Sequence, residues 1–257
     1  MSRKIRKLLT IIFALIFVIC CAIVVVNKWP YWKNSMDNKK AADTYTEKNE
    51  SKTGPSSEKL VIAPIKVDFE ALKAVNSDIY GWIYCEGTNI NYPLLQGKNN
   101  DSYIHTNYKG ESNFAGAIFV DSANLKDFQD NNTIIYGHNM ADGSMFAELS
   151  NWQMQDFFDA HKVIWILTPD GDYMAELFSA YITDANSYVY TIYRGEGPEY
   201  SSYIKRVSGE SYVRSGVEIE SDSKCVLLST CTYAEGDARS VIHGVLKPVD
   251  SVGGVKK

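Results

Sequence analysis

"KCVLLSTCTYAEGDARSVIHGVLKPV", residues 224–249, reads as strand, loop, strand. The run "CVLLST" is apolar enough for a buried strand, and "RSVIHGVLKPV" supplies a second. Between them "CTYAEGD" carries the glycine and aspartate that end one strand and turn the chain. Cys231 therefore stands at a strand exit, and Arg239 opens the next strand eight positions later. If the strands are antiparallel neighbours, both residues lie at the same end of a sheet. A thiol there is a nucleophile only if a base or cation supplies thiolate and donors meet the oxyanion. Otherwise it is a small apolar strand residue and the arginine a solvated strand-end charge. Read alone, the stretch leaves both open.

Working outward, the same strand texture recurs. "IYGWIYC", "INYPLL", "GAIFVD", "NTIIYGH", "HKVIWILTP" and "YMAELFSAYIT" are short β-rich runs separated by turn residues such as "NN", "DG" and "PDGD". "VDFEALKAVNSD" spaces apolar residues at 69, 72 and 75 as one short helix, and helical interruptions are expected at 144–160 and 198–208. Many short strands with few long helices predict a mostly β fold, a closed or nearly closed barrel.

The N-terminus has another character. "MSRKIRK" precedes "LLTIIFALIFVICCAIVVV", residues 8–26, an apolar run of 19 residues without a charge. As a helix it spans roughly 28 Å, close to a bilayer core. Arg3, Lys4, Arg6 and Lys7 predict that 1–7 stays in the cytoplasm and that the bulk of the chain lies outside the cell membrane, although Lys28 and Lys33 on the far side weaken the asymmetry. A cleaved signal peptide is the rival, but its apolar core is usually shorter and no small-x-small site precedes Asn27. Residues 27–63 are polar and charged and read as an extracytoplasmic stalk, partly helical, with Trp29, Tyr31 and Trp32 where an interfacial belt belongs. A compact domain is expected over 64–250, with 251–257 as a C-terminal tail.

The chain has 257 residues, 45% hydrophobic and 22% charged, enough to bury one sizeable core. A net charge of −5 gives no reason to expect nucleic-acid binding. Of five cysteines, Cys20 and Cys21 fall in the apolar run. The other three, Cys85, Cys225 and Cys231, are an odd set without a CxxC, so neither a disulfide framework nor a structural zinc is expected. Cys85 and Cys225 read as buried, inert thiols. Among the histidines, His105, His161 and His243 read as structural or surface residues. His138 differs: it follows the apolar strand "NTIIY" at a Gly-His-Asn exit, where barrel loops form clefts.

Taken together, "LLSTC", an arginine eight residues on and "YGHN" 93 residues upstream resemble the sortase family. The family pattern is a strand ending T-L-x-T-C, an arginine opening the next strand and a histidine in a Gly-His motif; here Leu227 stands where the family often has threonine. The resemblance covers about 64–248 and is closest to class B: the form "STCTY…DAR", the N-terminal half from "IYGWIYCEGTNINYPLLQ" to "YIHTNYKGESNFAGAIFVD", and a long 183–223 interval with a helix candidate, "PEYSSYIKRVS". It implies a closed eight-stranded sortase-type β-barrel with a few peripheral helices, preceded by a transmembrane helix. It also implies a cysteine transpeptidase with Cys231 as nucleophile, His138 as general acid and base, and Arg239 as the donor to oxyanion or substrate. Ser229, Tyr188 and Ile104 match substrate-binding positions, with ordinary barrel packing as the alternative for each. The implied substrates are secreted proteins with a C-terminal sorting signal like N-P-x-T-[N/G/S], cleaved after Thr, and a lipid-linked peptidoglycan precursor supplies the acceptor amine. No cofactor and no metal are expected. The competing readings are a sortase of another class, a papain-like cysteine peptidase, whose cysteine would precede its histidine, and an anchored surface protein without catalysis.

Overall fold

The computed structural model describes residues 3–49, 61–231 and 237–249, with Cys231 described by its backbone. The chain divides into two compact units, Met1–Asp37 and Asn38–Lys257. The first is helical from Arg3 and belongs to a 43-residue helix, α1 (Arg3–Tyr45), whose apolar stretch is exposed and long enough to cross a membrane.

In the second unit the structure differs from a spacer running to residue 63. The helix continues to Tyr45, and Ala41 and Ala42 are buried in one cluster with Ile65, Leu72, Ile79 and Trp82. Strand β1 (Thr46–Lys48) then pairs antiparallel with β2 (Ile65–Val67). The backbone N–H of Asp68 donates to Tyr45 O at 2.8 Å, and the Asn49 side chain donates to Ala63 O at 3.1 Å. Small side chains let the helix approach closely, and the short ladder satisfies backbone groups that would otherwise be solvated.

The expected short helix is α2 (Phe69–Val75). Asp68 caps it by accepting from Ala71 N at 2.9 Å, and Leu72 is its buried residue. Eight strands follow: β3 (Ile79–Tyr84), β4 (Asn91–Leu95), β5 (Ile118–Val120), β6 (Asn132–Tyr136), β7 (Val163–Thr168), β8 (Gly171–Asp184), β9 (Cys225–Cys231) and β10 (Ala238–Val249). They close into a barrel in the order β10-β8-β7-β3-β4-β5-β6-β9. The β4–β5 and β6–β9 pairs are parallel and the rest antiparallel. Closure removes the unpaired edges that a long apolar sheet would expose.

Between β6 and β7 the chain makes a 3-10 turn, Ala147–Gln153, and helix α3 (Gln155–Ala160), within the expected interruption. Helix α4 (Pro198–Gly209) lies between β8 and β9, the sixth and seventh barrel strands, and starts with the proline favoured at a first helical position. Tyr200, Tyr203 and Val207 recur at helical spacing and are buried in a cluster with Tyr181, Leu227, Val241 and Val245. His243, at the centre of this aromatic region, is fully buried. Its ring stacks on Tyr181 at 5.7 Å and meets Tyr203 edge-on at 6.0 Å, yet neither ring nitrogen has a hydrogen-bond partner among the described residues.

Candidate active site

Register brings the chemistry-bearing residues together. In the antiparallel β9–β10 ladder Cys231 is the direct partner of Arg239. In the parallel β6–β9 ladder Tyr136 pairs with Ser229, and the N–H of Gly137 donates to Ser229 O at 3.2 Å. Two residues past each of those positions come His138 and Cys231. The ends of three adjacent strands thus place Gly-His, Thr-Cys and Ala-Arg side by side on one rim. The Cys231 side chain and the loop 232–236 lie outside the described residues.

A cavity of about 380 Å³ opens on this rim. Ile104, Phe119, Tyr136, Ala185 and Tyr190 form its less polar walls. Asn100, His138, Ser229, Thr230 and Arg239 supply the polar groups. Among the described residues lining it, Arg239 is the fixed cation and there is no carboxylate, so the cavity favours developing negative charge. Arg239 donates one guanidinium hydrogen to Ala238 O at 3.2 Å, leaving most of its donor fork for a bound group.

Two glycines make room for the histidine. A Cβ on Gly137 would strike Ile118 and the Phe146 ring, so the residue between Tyr136 and His138 has to be small. Gly116 has φ +58°, and a Cβ there would collide with the carbonyl oxygens of Tyr103 and Ile104. The carbonyl of Ile104 is the one that holds His138, with Nε2 at 2.8 Å. A carbonyl only accepts, so Nε2 carries the proton and Nδ1 is the nitrogen free to exchange one.

Behind the cavity a buried carboxylate organises two walls. Asp121 Oδ2 accepts from Asn100 Nδ2 at 2.9 Å and from the Tyr136 hydroxyl at 2.9 Å, while its Oδ1 accepts from Ala123 N at 2.9 Å. Asn100 Oδ1 in turn accepts from Ser122 N at 2.8 Å. Burial first, then the Asp121 charge, raises the Tyr136 pKa far above its ordinary value, so this phenol remains a hydrogen-bond donor.

Of the residues read from sequence, Cys231, His138, Arg239, Ser229 and Ile104 are brought to this rim by register or line its cavity. Tyr188 is not among the lining residues. Its ring takes the Arg206 guanidinium on its face at 3.6 Å and meets Tyr203 edge-on. The neighbouring Tyr190 lines the cavity instead, with its hydroxyl 2.9 Å from Ser229 Oγ. Both belong to a 3-10 turn, Tyr188–Tyr190, and at three residues per turn positions i and i+2 point in different directions. Asn100, Phe119, Tyr136 and Asp121 do not stand out in the sequence; the one local signal is that Tyr136 directly precedes Gly-His.

The sortase domain family model matches residues 83–247. Sortase B of Listeria monocytogenes is 38% identical over 71% of this chain and 75% of that protein, and Sortase B of Staphylococcus aureus is 34% identical over 69% and 74%. The structure of sortase B from Bacillus anthracis superposes with a TM-score of 0.72 at 33% identity, covering 86% of this chain and 99% of that one. A barrel with these strand ends, matched over this length and at this identity to class B enzymes, leaves one assignment: the chain belongs to the sortase family and is a class B sortase, a cysteine transpeptidase.

Proposed function

We propose that this transpeptidase cleaves a C-terminal sorting signal resembling N-P-x-T-[N/G/S] after its threonine and transfers the new acyl end to an amine of a lipid-linked peptidoglycan precursor. Cys231 is the nucleophile. Its thiolate adds to the threonine carbonyl carbon, and the carbonyl oxygen becomes an oxyanion that accepts from Arg239. The C–N bond then breaks, the leaving amine takes a proton from the His138 imidazolium, and a thioacyl enzyme remains. The acceptor amine attacks this thioester, gives its proton back to His138 Nδ1, and expels the Cys231 thiolate. Ile104 and Ser229 bind the signal, and Tyr190 completes their wall. The observation that carries this reading is the register of β6, β9 and β10, with His138 just beyond β6 and Arg239 on β10, to either side of Cys231 and beside the cavity.

Two solved relatives support the substrate classes: a sortase B from Staphylococcus aureus in complex with substrate, and a sortase B in complex with triglycine, a peptide that begins with a primary amine. For localisation, the apolar stretch of α1 crosses the cell membrane, the basic residues from Arg3 to Lys7 stay in the cytoplasm and the barrel works outside. Tethering raises the effective concentration of a catalyst whose substrates are both delivered at the membrane.

The test uses the full chain in detergent micelles with an N-P-x-T-G-type peptide and triglycine. Intact-mass measurement is expected to find an adduct of the N-terminal peptide fragment on Cys231, sensitive to hydroxylamine, and a triglycine-ligated product. An enzyme that cleaves the peptide without such an adduct, or whose adduct maps to Cys85, overturns the reading.

A further inference from the structure

His138 is held from two directions by one loop. Its edge is fixed by the carbonyl of Ile104, and the ring of the next residue, His105, lies beside it nearly parallel, with centroids 5.8 Å apart and planes 16° from parallel. His105 itself is exposed, so it adds little to the core. The loop beneath it is tied by backbone hydrogen bonds. His105 O accepts from Asn113 N at 2.9 Å, Thr106 bridges to Ser112, and Ala117 N donates to Tyr103 O at 3.0 Å. His138, by contrast, lies just beyond the last β6 residue and is only half-buried, with its backbone tied by Phe146 N donating to its carbonyl at 2.9 Å. That bond fixes the main chain and leaves the ring free to turn. Among the described residues, the contacts from 104 and 105 are the ones recorded to its ring.

We propose that His105 is a positioning residue for the reaction: its imidazole, stacked on His138, holds that ring in the orientation in which Nε2 meets the Ile104 carbonyl and Nδ1 faces the reacting atoms. A general acid and base that serves a leaving amine and then an incoming one has to present the same nitrogen twice. A single hydrogen bond to Nε2 allows the ring to swing about that contact, and a near-parallel ring beside it opposes the swing. Among the described residues, the titratable and charged groups around His138 are few. His105 faces it from the 101–113 loop, Arg239 lies across the cavity on β10, and Cys231 neighbours it by register. No carboxylate is among the described residues lining the cavity.

The inference rests on the reading of His138 as the acid and base, and the experiment separates the two. His105→Ala, His105→Phe and His138→Ala are made in the full chain, and kcat, KM, melting temperature and the imidazole nitrogen shifts of His138 are measured. His105→Ala is expected to lower kcat roughly three- to tenfold, below the ~10²-fold that a misplaced group can cost, with KM changed by less than about twofold. The His138 shifts are expected to move from an Nε2-protonated pattern toward a mixture, while melting is unchanged. His105→Phe, which keeps a flat ring without the imidazole nitrogens, is expected to restore kcat and the shifts. The proposal is overturned if His105→Ala keeps full kcat while His138→Ala is inactive, or if the Phe and Ala variants are equally slow. If His138→Ala itself turns over normally, the acid–base reading fails first.

Discussion

The β9–β10 ladder carries a cysteine near each end, and the two ends give them different surroundings. At the inner end, Cys225 and His243 sit beneath α4 among tyrosines. Cys225 is buried, burial pushes its thiol up to about 12, and the Tyr200 hydroxyl 3.2 Å from its sulfur offsets only part of that. At the other end, Cys231 pairs with Arg239 on the rim of an open cavity, with His138 beyond the adjoining strand. Six positions along one strand take the chain from an inert thiol to the proposed nucleophile. Residue type says little here; distance from the rim, and what the neighbouring strands bring to it, decides the chemistry.

The sharpest way to break this contrast is to remove each thiol in turn. Cys231→Ala is expected to lower kcat by at least ~10³-fold, as loss of a covalent nucleophile does. Cys225→Ala should leave kcat within about twofold and instead lower the denaturation midpoint, because it opens a small void in a packed cluster. Peptide cleavage and chemical denaturation of both variants measure the pair. A Cys225 variant that folds normally and is inactive would erase the distinction between the two ends.

Arg239 tests the rim from the other strand. Arg239→Ala is expected to cost on the order of 10²–10³ in kcat, the usual loss for one oxyanion donor. Arg239→Lys should recover little of it, since an ammonium lacks the planar fork that can bond both Ala238 O and a substrate oxygen. Recovery by lysine to near wild-type rate would mean that charge alone matters at this position.

Much of this arrangement is legible in sequence because it is local. Strand alternation, the Gly-Asp turn signals and the Gly-His exit are each written within a few residues, and the β9–β10 pairing follows from their order. What is not legible depends on phase or on distance. Tyr188 and Tyr190 are equivalent as text, and the 3-10 turn that separates their directions is not written in either. His105 meets His138 across 33 residues of chain, and Asp121 joins Asn100 to Tyr136, residues on either side of it in sequence that meet only in the folded barrel. The start of the folded unit is hidden for a third reason. In "MDNKKAADTY" the two buried residues are alanines, whose small side chains give a weak apolar signal in a polar run, yet fit a close helix contact.

The smallest effect on catalysis, and the clearest on stability, belongs to His243 at the inner end. Of the two readings open to His243 in the sequence, structural or surface, the structural one holds, yet both nitrogens lack partners among the described residues. Burial lowers its pKa to about 3 from an ordinary value of 6.5. An unfolded chain takes up a proton at His243 as pH falls through that ordinary value, while the folded barrel stays neutral there until near the lowered one. Its contribution to stability is therefore constant above about pH 6.5 and is lost progressively down to about pH 3. The slope is about 1.4 kcal/mol per pH unit, so roughly 2–3 kcal/mol should be gone at pH 4.5. His243→Phe keeps an aromatic face toward Tyr181 and removes both unpartnered nitrogens. It is expected to match or exceed wild-type stability at about pH 7.5 and to lose about that much less on acidification, with kcat at neutral pH unchanged. Denaturant midpoints of the two proteins across this range measure the difference. Parallel pH curves would mean that His243 is hydrated or paired in solution, and the inner end of the ladder would then be less dry than its ring of tyrosines implies.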